Sequence, residues 1–337
     1  MPSTPRLAPE IIYNIFQNLS SPLPLHEAYK FPWYLSHICS EWRETFLSMQ
    51  PYFWNELVIE SSEAEWEDTT SNFSDELKME VLKDNDTDAR TLAILSFFLD
   101  NTRGAPFSFT LYGNELYAKA DTLYVLHIFS KLLDHVAQWE NVTMQLRQPA
   151  FLVLRYIKGR LSMLRTLSLV VEGLHVIRNL YTALFSNHWG IFEDAPLLTN
   201  IELASLVFRF NWASLTSIHL HSFDGEGVIP ALRQTINLET FTIDDVLYND
   251  QVETEIIKLP RLKYLSIHGV LLLTILEAPA LKELKIKFKD ESDSDTEEGS
   301  LVESQIASRT IAFFLRSRCE LSKFSSESLG SPVSQIF

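Results

Sequence analysis

The sequence predicts an α/β fold: a small helical module at the amino terminus, followed by a solenoid of strand units with a helix or turn in each. Three observations lead there. Apolar residues near the start fall at helical spacing, and from residue 91 onward helix-like and strand-like periodicities alternate. A spaced apolar triplet then recurs along residues 139–324.

The stretch LAPEIIYNIFQNL, residues 7–19, places Ile11, Ile12, Ile15, Phe16 and Leu19 at helical spacing. Pro9 stands where a first turn would begin, and Glu10 sits at that turn's positive end. The proline- and serine-rich SSPLPLHEAYKFP reads as a loop. Trp33, Leu35, Ile38, Trp42 and Phe46 then mark a second helix that should end before Pro51, and Trp54 and Leu57 return the chain to apolar packing. Cys39, on this helix beside Trp42, is expected to be buried. A module of this size is too small to be robust alone.

Between residues 60 and 90, eleven acids face three bases, the composition of a solvated linker or surface excursion with a short helix around residues 74–83. The expected organisation is therefore a helical domain at 5–58, an acidic linker or insertion at 59–90 and a repeat domain at 91–337. RTLAILSFFLDNTRG is helix-like with Gly104 as its stop. In PFSFTLYG, Phe107, Phe109 and Leu111 alternate as in a strand. DTLYVLHIFSKLLDHVAQW has helical periodicity with Asp121 as its N-cap, and it leads into WENVTMQL.

The recurring unit is L-x-x-L-x-L. It occurs as Leu164/Leu167/Leu169, Leu198/Ile201/Leu203, Leu215/Ile218/Leu220, Leu238/Phe241/Ile243, Leu262/Leu265/Ile267 and Leu281/Leu284/Ile286. Trp139/Val142/Met144 is a weaker instance, and Leu321/Phe324 looks like a terminal fragment. Three units carry a proline just before the first Leu, in APLL, LPRL and APAL. Successive units start 17 to 34 residues apart, mostly within the range of leucine-rich repeats. No such unit buries its apolar side alone, so neighbours must stack.

Composition limits the function. The chain of 337 residues has 46% hydrophobic residues and a net charge of -16. It can bury a large core, and it lacks the basic balance expected of a nucleic-acid binder or of a protein that docks on anionic membrane. Only two cysteines occur, Cys39 and Cys319, and nothing in their number demands an oxidising compartment. The start has no signal-peptide pattern and no apolar run is long enough to span a bilayer, so a cytoplasmic or nuclear location is expected.

Residues 7–57 resemble an F-box. Members open with Leu-Pro-x-Glu-Ile and an Ile-Phe-x-x-Leu helix, carry Val-Cys-x-x-Trp-Arg on a later helix and close on a Trp after a Pro. The matching positions are Leu7, Glu10 and Ile11; Ile15, Phe16 and Leu19; Ile38, Cys39, Trp42 and Arg43; then Pro51 and Trp54. Ala8 replaces the opening Pro, with Pro9 one step later. With the repeats, the chain is similar to fungal-type F-box-like proteins with leucine-rich repeats. The resemblance implies a non-catalytic substrate-recognition subunit of a cullin–RING (SCF-type) ubiquitin ligase. The F-box would dock the adaptor subunit, with Leu7, Pro9, Ile11, Ile15, Phe16 and Trp42 as anchors, and the repeats would bind an unknown protein target. Ile15 or Trp42 could instead be internal core. A repeat scaffold without ligase association is the alternative.

No enzyme motif occurs: there is no G-x-S-x-G, no phosphate-binding glycine loop and no H-E-x-x-H, and the lone G-x-G at Gly225–Gly227 lacks a third glycine. The repeat phase places His221, Asp244 and His268 in one lateral row of the polar face, with His219, Thr242 and Ser266 beside it. Such a row has residue types suited to a divalent metal or a pH-sensitive contact. The expectation is target contact through His219, His221, Asp244 and His268, with no metal or cofactor assigned. Lys285 and Lys287 give that end a local positive character. The acidic run 290–299 reads as a surface loop, with Ser292, Ser294 and Thr296 in a setting acidophilic kinases prefer.

Overall fold

A computed structural model describes residues 7–19, 37–53, 55–60, 89, 91–112, 119–146, 150–171, 190–204, 208–247, 255–288 and 298–327. The expectations for Trp33, Leu35, Trp54, most of the acidic linker, and Ser292, Ser294 and Thr296 fall outside these residues. The chain divides into two compact units, Met1–Leu164 with Val171–Ile177, and Arg165–Val170 with Arg178–Phe337. Both are mixed α/β with strands paired in parallel.

In the first unit, α1 spans Pro9–Leu19 and packs against α2, Ser40–Phe53. Helix α2 runs through Pro51 rather than ending before it. The proline removes one N–H bond to the carbonyl four residues earlier, and it does so in the last turn, where backbone groups are already left to solvent. Strand β1, Glu56–Glu60, follows with Leu57 and Ile59 buried, so Ile59 lies in the sheet and not in the acidic stretch.

Residues 91–101 form α3, which stops where Gly104 adopts φ +83°, a left-handed conformation that glycine takes without a Cβ penalty. Strand β2 is Phe107–Tyr112, with Phe107, Phe109 and Leu111 buried as the alternation predicts. Helix α4, Lys119–Asp134, begins two residues before Asp121, which is therefore inside the first turn and not its cap. Strand β3 is Trp139–Leu146, and β1, β2 and β3 pair in that order. Trp139 is the centre of the packing. Its ring meets Phe109 edge-on at 4.9 Å and Phe129 at 6.2 Å, and its buried Nε1–H donates to the Leu132 carbonyl at 3.2 Å.

The second unit contains β4 (Thr166–Val171, all but its last residue), β5 (Asn200–Leu203), β6 (Ser217–Asp224), β7 (Thr240–Leu247), β9 (Tyr264–His268), β11 (Glu283–Lys287) and β12 (Lys323–Glu327), hydrogen-bonded in that order. Each apolar triplet lies in phase with its neighbours. Leu167 pairs with Ile201, Ile201 with Ile218, Ile218 with Phe241, Phe241 with Leu265, Leu265 with Leu284, and Leu284 with Phe324. All the triplet residues from Leu164 to Ile286 are buried. Leu321 and Phe324, in the edge unit, are only half-buried.

Two backbone devices recur with the triplet. The N–H of the first Leu closes a turn onto the carbonyl three residues earlier: Leu198 to Ala195, Leu215 to Trp212, Leu238 to Thr235, Leu262 to Leu259 and Leu281 to Ala278. Pro196, Pro260 and Pro279 occupy the second position of three of these turns, where a fixed φ suits the geometry. The carbonyl after each first Leu then accepts two N–H groups from the next unit. Arg165 accepts from Thr199 and Asn200, Thr216 from Glu239 and Thr240, and Lys263 from Lys282 and Glu283. This spacing fixes the register, and with it which side chains meet on the polar face.

Between strands the chain returns through short 3-10 turns (Trp212–Ser214, Leu272–Thr274) or through α5, Gly225–Leu232, whose first turn holds the G-x-G. Strands β8 (Ile257–Lys258) and β10 (Leu276–Glu277) pair with each other in the return layer. Helix α6, Glu298–Ser317, begins inside the run expected to be loop, since residues 298 and 299 are helical. Its end is pinned: Ser317 Oγ accepts the buried Ala278 N–H at 3.0 Å, and the Arg316 guanidinium donates to the Leu273 and Leu276 carbonyls.

Candidate functional site

The expected adaptor anchors divide into two groups. Helix α1 has two apolar faces about 100° apart, because consecutive residues of a helix differ by that angle. Ile12 and Phe16 form the inner face, and Phe16 packs edge-on against Trp42 and Phe46, each at 5.6 Å between ring centroids. Phe16 is 2% exposed, so it is core and not a docking anchor. Trp42 is half-buried against it. Ile11 lies on the other face, 47% exposed, with Ile15 half-buried, and Leu7, two residues before the helix, is 42% exposed. Pro9 opens the helix. Cys39 is exposed, contrary to expectation: it precedes α2, and its carbonyl accepts the Arg43 N–H at 3.0 Å.

The residues expected to contact a target lie on the polar face of the parallel sheet in the second unit. Residues two apart in a strand share a face, so His219 and His221 both stand on the polar side of β6, flanking buried Leu220. Glu202 of β5 pairs in register with His219. The rings of His219 and His221 lie 4.4 Å apart, tilted by 52°.

Asp244 Oδ2 is 2.8 Å from His219 Nε2 and 3.0 Å from His221 Nδ1. Glu202 Oε1 is 3.0 Å from His221 Nε2 and 3.3 Å from His219 Nδ1. Lys287 Nζ donates to Asp244 Oδ1 at 2.8 Å. Burial on its own would raise the Asp244 pKa. The hydrogen bonds and charges of Lys287 and His219 outweigh it and lower the pKa to about 2. Asp244 is therefore an ionised acceptor held from one side by an ammonium and from the other by two imidazoles.

The sequence placed His221, Asp244 and His268 in one row with His219 in the row beside it; the structure brings both His219 and His221 to Asp244. His268 sits on β9 opposite Lys287 of β11 and is half-buried. Ser266, expected beside it on the solvent side, is buried. Glu202 was missed, although it occupies in β5 the same phase as His219 in β6. Lys287 was read only as local charge, whereas it is the cation bonded to Asp244.

No family model, no curated protein and no solved structure matches this chain. Among the described residues, no helix is long and apolar enough to cross a membrane.

Proposed function

We propose that the chain is a non-catalytic substrate receptor of a cullin–RING ubiquitin ligase. In this reading its amino-terminal helices dock the adaptor subunit, and its in-phase parallel strands form an irregular leucine-rich-repeat solenoid that binds the target protein. The observation that carries the reading is the division of α1 into two apolar faces. Ile12 and Phe16 are buried in the packing of the helix, yet Ile11 on its other face, and Leu7 just before the helix, are exposed to solvent. An internal packing helix needs one such face; a helix that also docks in a partner's groove needs two.

The second half of the reading draws on the repeated turn, the shared carbonyl and the constant register of the apolar triplet. Those are the features of units that stabilise one another by stacking and leave a polar strand face for recognition.

The test is direct. The purified full chain is mixed with the adaptor subunit and analysed by size-exclusion chromatography and calorimetry. A one-to-one complex supports the receptor. No complex at concentrations well above those of ordinary helix-in-groove binding favours the scaffold without ligase association, which the burial of Phe16 against Trp42 also accommodates.

A further inference from the structure

With both imidazoles neutral, the cluster on β5–β7 presents more acceptors than its histidines have protons to give. A neutral imidazole carries one N–H and one lone pair. Asp244, ionised and anchored by Lys287, is the natural acceptor for one N–H from each ring, at 2.8 Å from His219 Nε2 and 3.0 Å from His221 Nδ1. That assignment leaves His219 Nδ1 and His221 Nε2 as lone pairs, and both are directed at Glu202 Oε1, at 3.3 and 3.0 Å. With both rings neutral in these tautomers, three electron-rich atoms then face one another with no proton among them.

We propose that Glu202, His219 and His221 bind a divalent transition-metal ion of the zinc class through Glu202 Oε1, His219 Nδ1 and His221 Nε2. One ligand atom from each of the three residues lies within 4.8 Å of the other two, and Glu202 Oε1 is 3.3 Å from His219 Nδ1 and 3.0 Å from His221 Nε2. Metal–ligand bonds of about 2.0–2.2 Å in a tetrahedral site put ligand atoms about 3.3 Å apart, close to the spacing of Glu202 from the two rings. Asp244 takes the outer role, accepting the remote N–H of both rings and fixing their tautomers, and Lys287 holds Asp244 in place. Two imidazoles and a carboxylate select zinc, cobalt, nickel or copper over magnesium or calcium, which prefer all-oxygen shells.

Charge favours the same answer. Glu202 and Asp244 against Lys287 leave one negative charge, which a divalent cation reverses. The side chains of Glu202, His219 and His221 remain 32–40% exposed, so the ion is reachable and keeps an open coordination position toward solvent.

The proposal is tested on tag-free, chelator-stripped full-length protein near neutral pH, titrated with zinc chloride by calorimetry, with magnesium chloride as the control. The expected result is one equivalent of zinc bound and no magnesium. His219→Ala with His221→Ala should abolish binding, and Asp244→Ala should weaken it about 10- to 100-fold, as outer carboxylates do. Zinc affinity unchanged by the double substitution would overturn the site.

Because the double variant disturbs a hydrogen-bonded cluster, cobalt absorption on the unmodified protein gives a second reading. Visible bands of nitrogen–oxygen coordination are expected. A thiolate charge-transfer band would assign the metal to Cys39 or Cys319 and overturn the proposal, as would the absence of any cobalt spectrum.

Discussion

Replacing Ile11 by Asp separates docking from folding on helix α1. Ile11 keeps 47% of its surface in water, so its contribution to the folded chain is small, and an outward substitution typically shifts stability within about 0.5 kcal/mol. In a docked complex the same position would be covered. Fully burying an Ile side chain is worth about 1.5–3 kcal/mol, so the half still exposed supplies about 1 kcal/mol. A carboxylate forced into that contact adds a desolvation penalty of about 2 kcal/mol or more. Together these weaken adaptor binding by about 100-fold or more.

Phe16→Ala should behave in the opposite way. It removes a buried ring that contacts Trp42 and Phe46, and such truncations cost about 3–5 kcal/mol of stability. The assay pairs calorimetric titration of the adaptor with thermal unfolding for both variants. Ile11→Asp should bind poorly and melt like the parent, whereas Phe16→Ala should melt early. If Ile11→Asp binds the adaptor within a few-fold of the parent, the outer stripe of α1 is not the docking face and the receptor reading fails.

Trp139→Phe should destabilise the first unit measurably in urea, because it removes the Nε1–H bond to the Leu132 carbonyl, which keeps the His135 N–H, a loss of about 0.5–1.5 kcal/mol; an unchanged unfolding midpoint would refute that role. Ser317→Ala should cost a similar amount in the second unit by orphaning the Ala278 N–H, with hydrogen exchange at that amide as the local readout. Cys39 should react with a thiol reagent near neutral pH well before Cys319. Burial raises the Cys319 pKa against the smaller lowering from its own backbone and from Lys282, so less thiolate is present there; equal rates would contradict it. Replacing residues 290–297 with a Gly/Ser linker, sparing Glu298 where α6 begins, should change stability by less than about 1 kcal/mol, checked by thermal melting.

Much of the second unit is legible in its sequence, because its pattern is local. In L-x-x-L-x-L the last two positions alternate with polar residues, so they must share a strand face, and the first Leu closes a turn only three residues long. Those constraints act within a few residues and fixed both the buried set and the polar side on which His219, His221 and Asp244 stand. The alternation in Phe107, Phe109 and Leu111 was legible for the same reason.

Tertiary structure decided what periodicity leaves open. Helix α1 is apolar on two faces, and spacing cannot say which of them meets α2; the aromatic packet of Trp42 and Phe46 takes Phe16 and leaves Ile11 outside. Cys39 was expected inside because it neighbours Trp42 in sequence, but the helix starts one residue later and leaves it in solvent. The histidine cluster needed more than phase. Only strand order and register place Glu202 of β5 and Lys287 of β11 around the side chains of β6 and β7, across separations of 19 and 43 residues. Local sequence sets which way each side chain points. Hydrogen-bonded pairing between distant strands sets which side chains meet, and the chemistry of the polar face depends on that meeting.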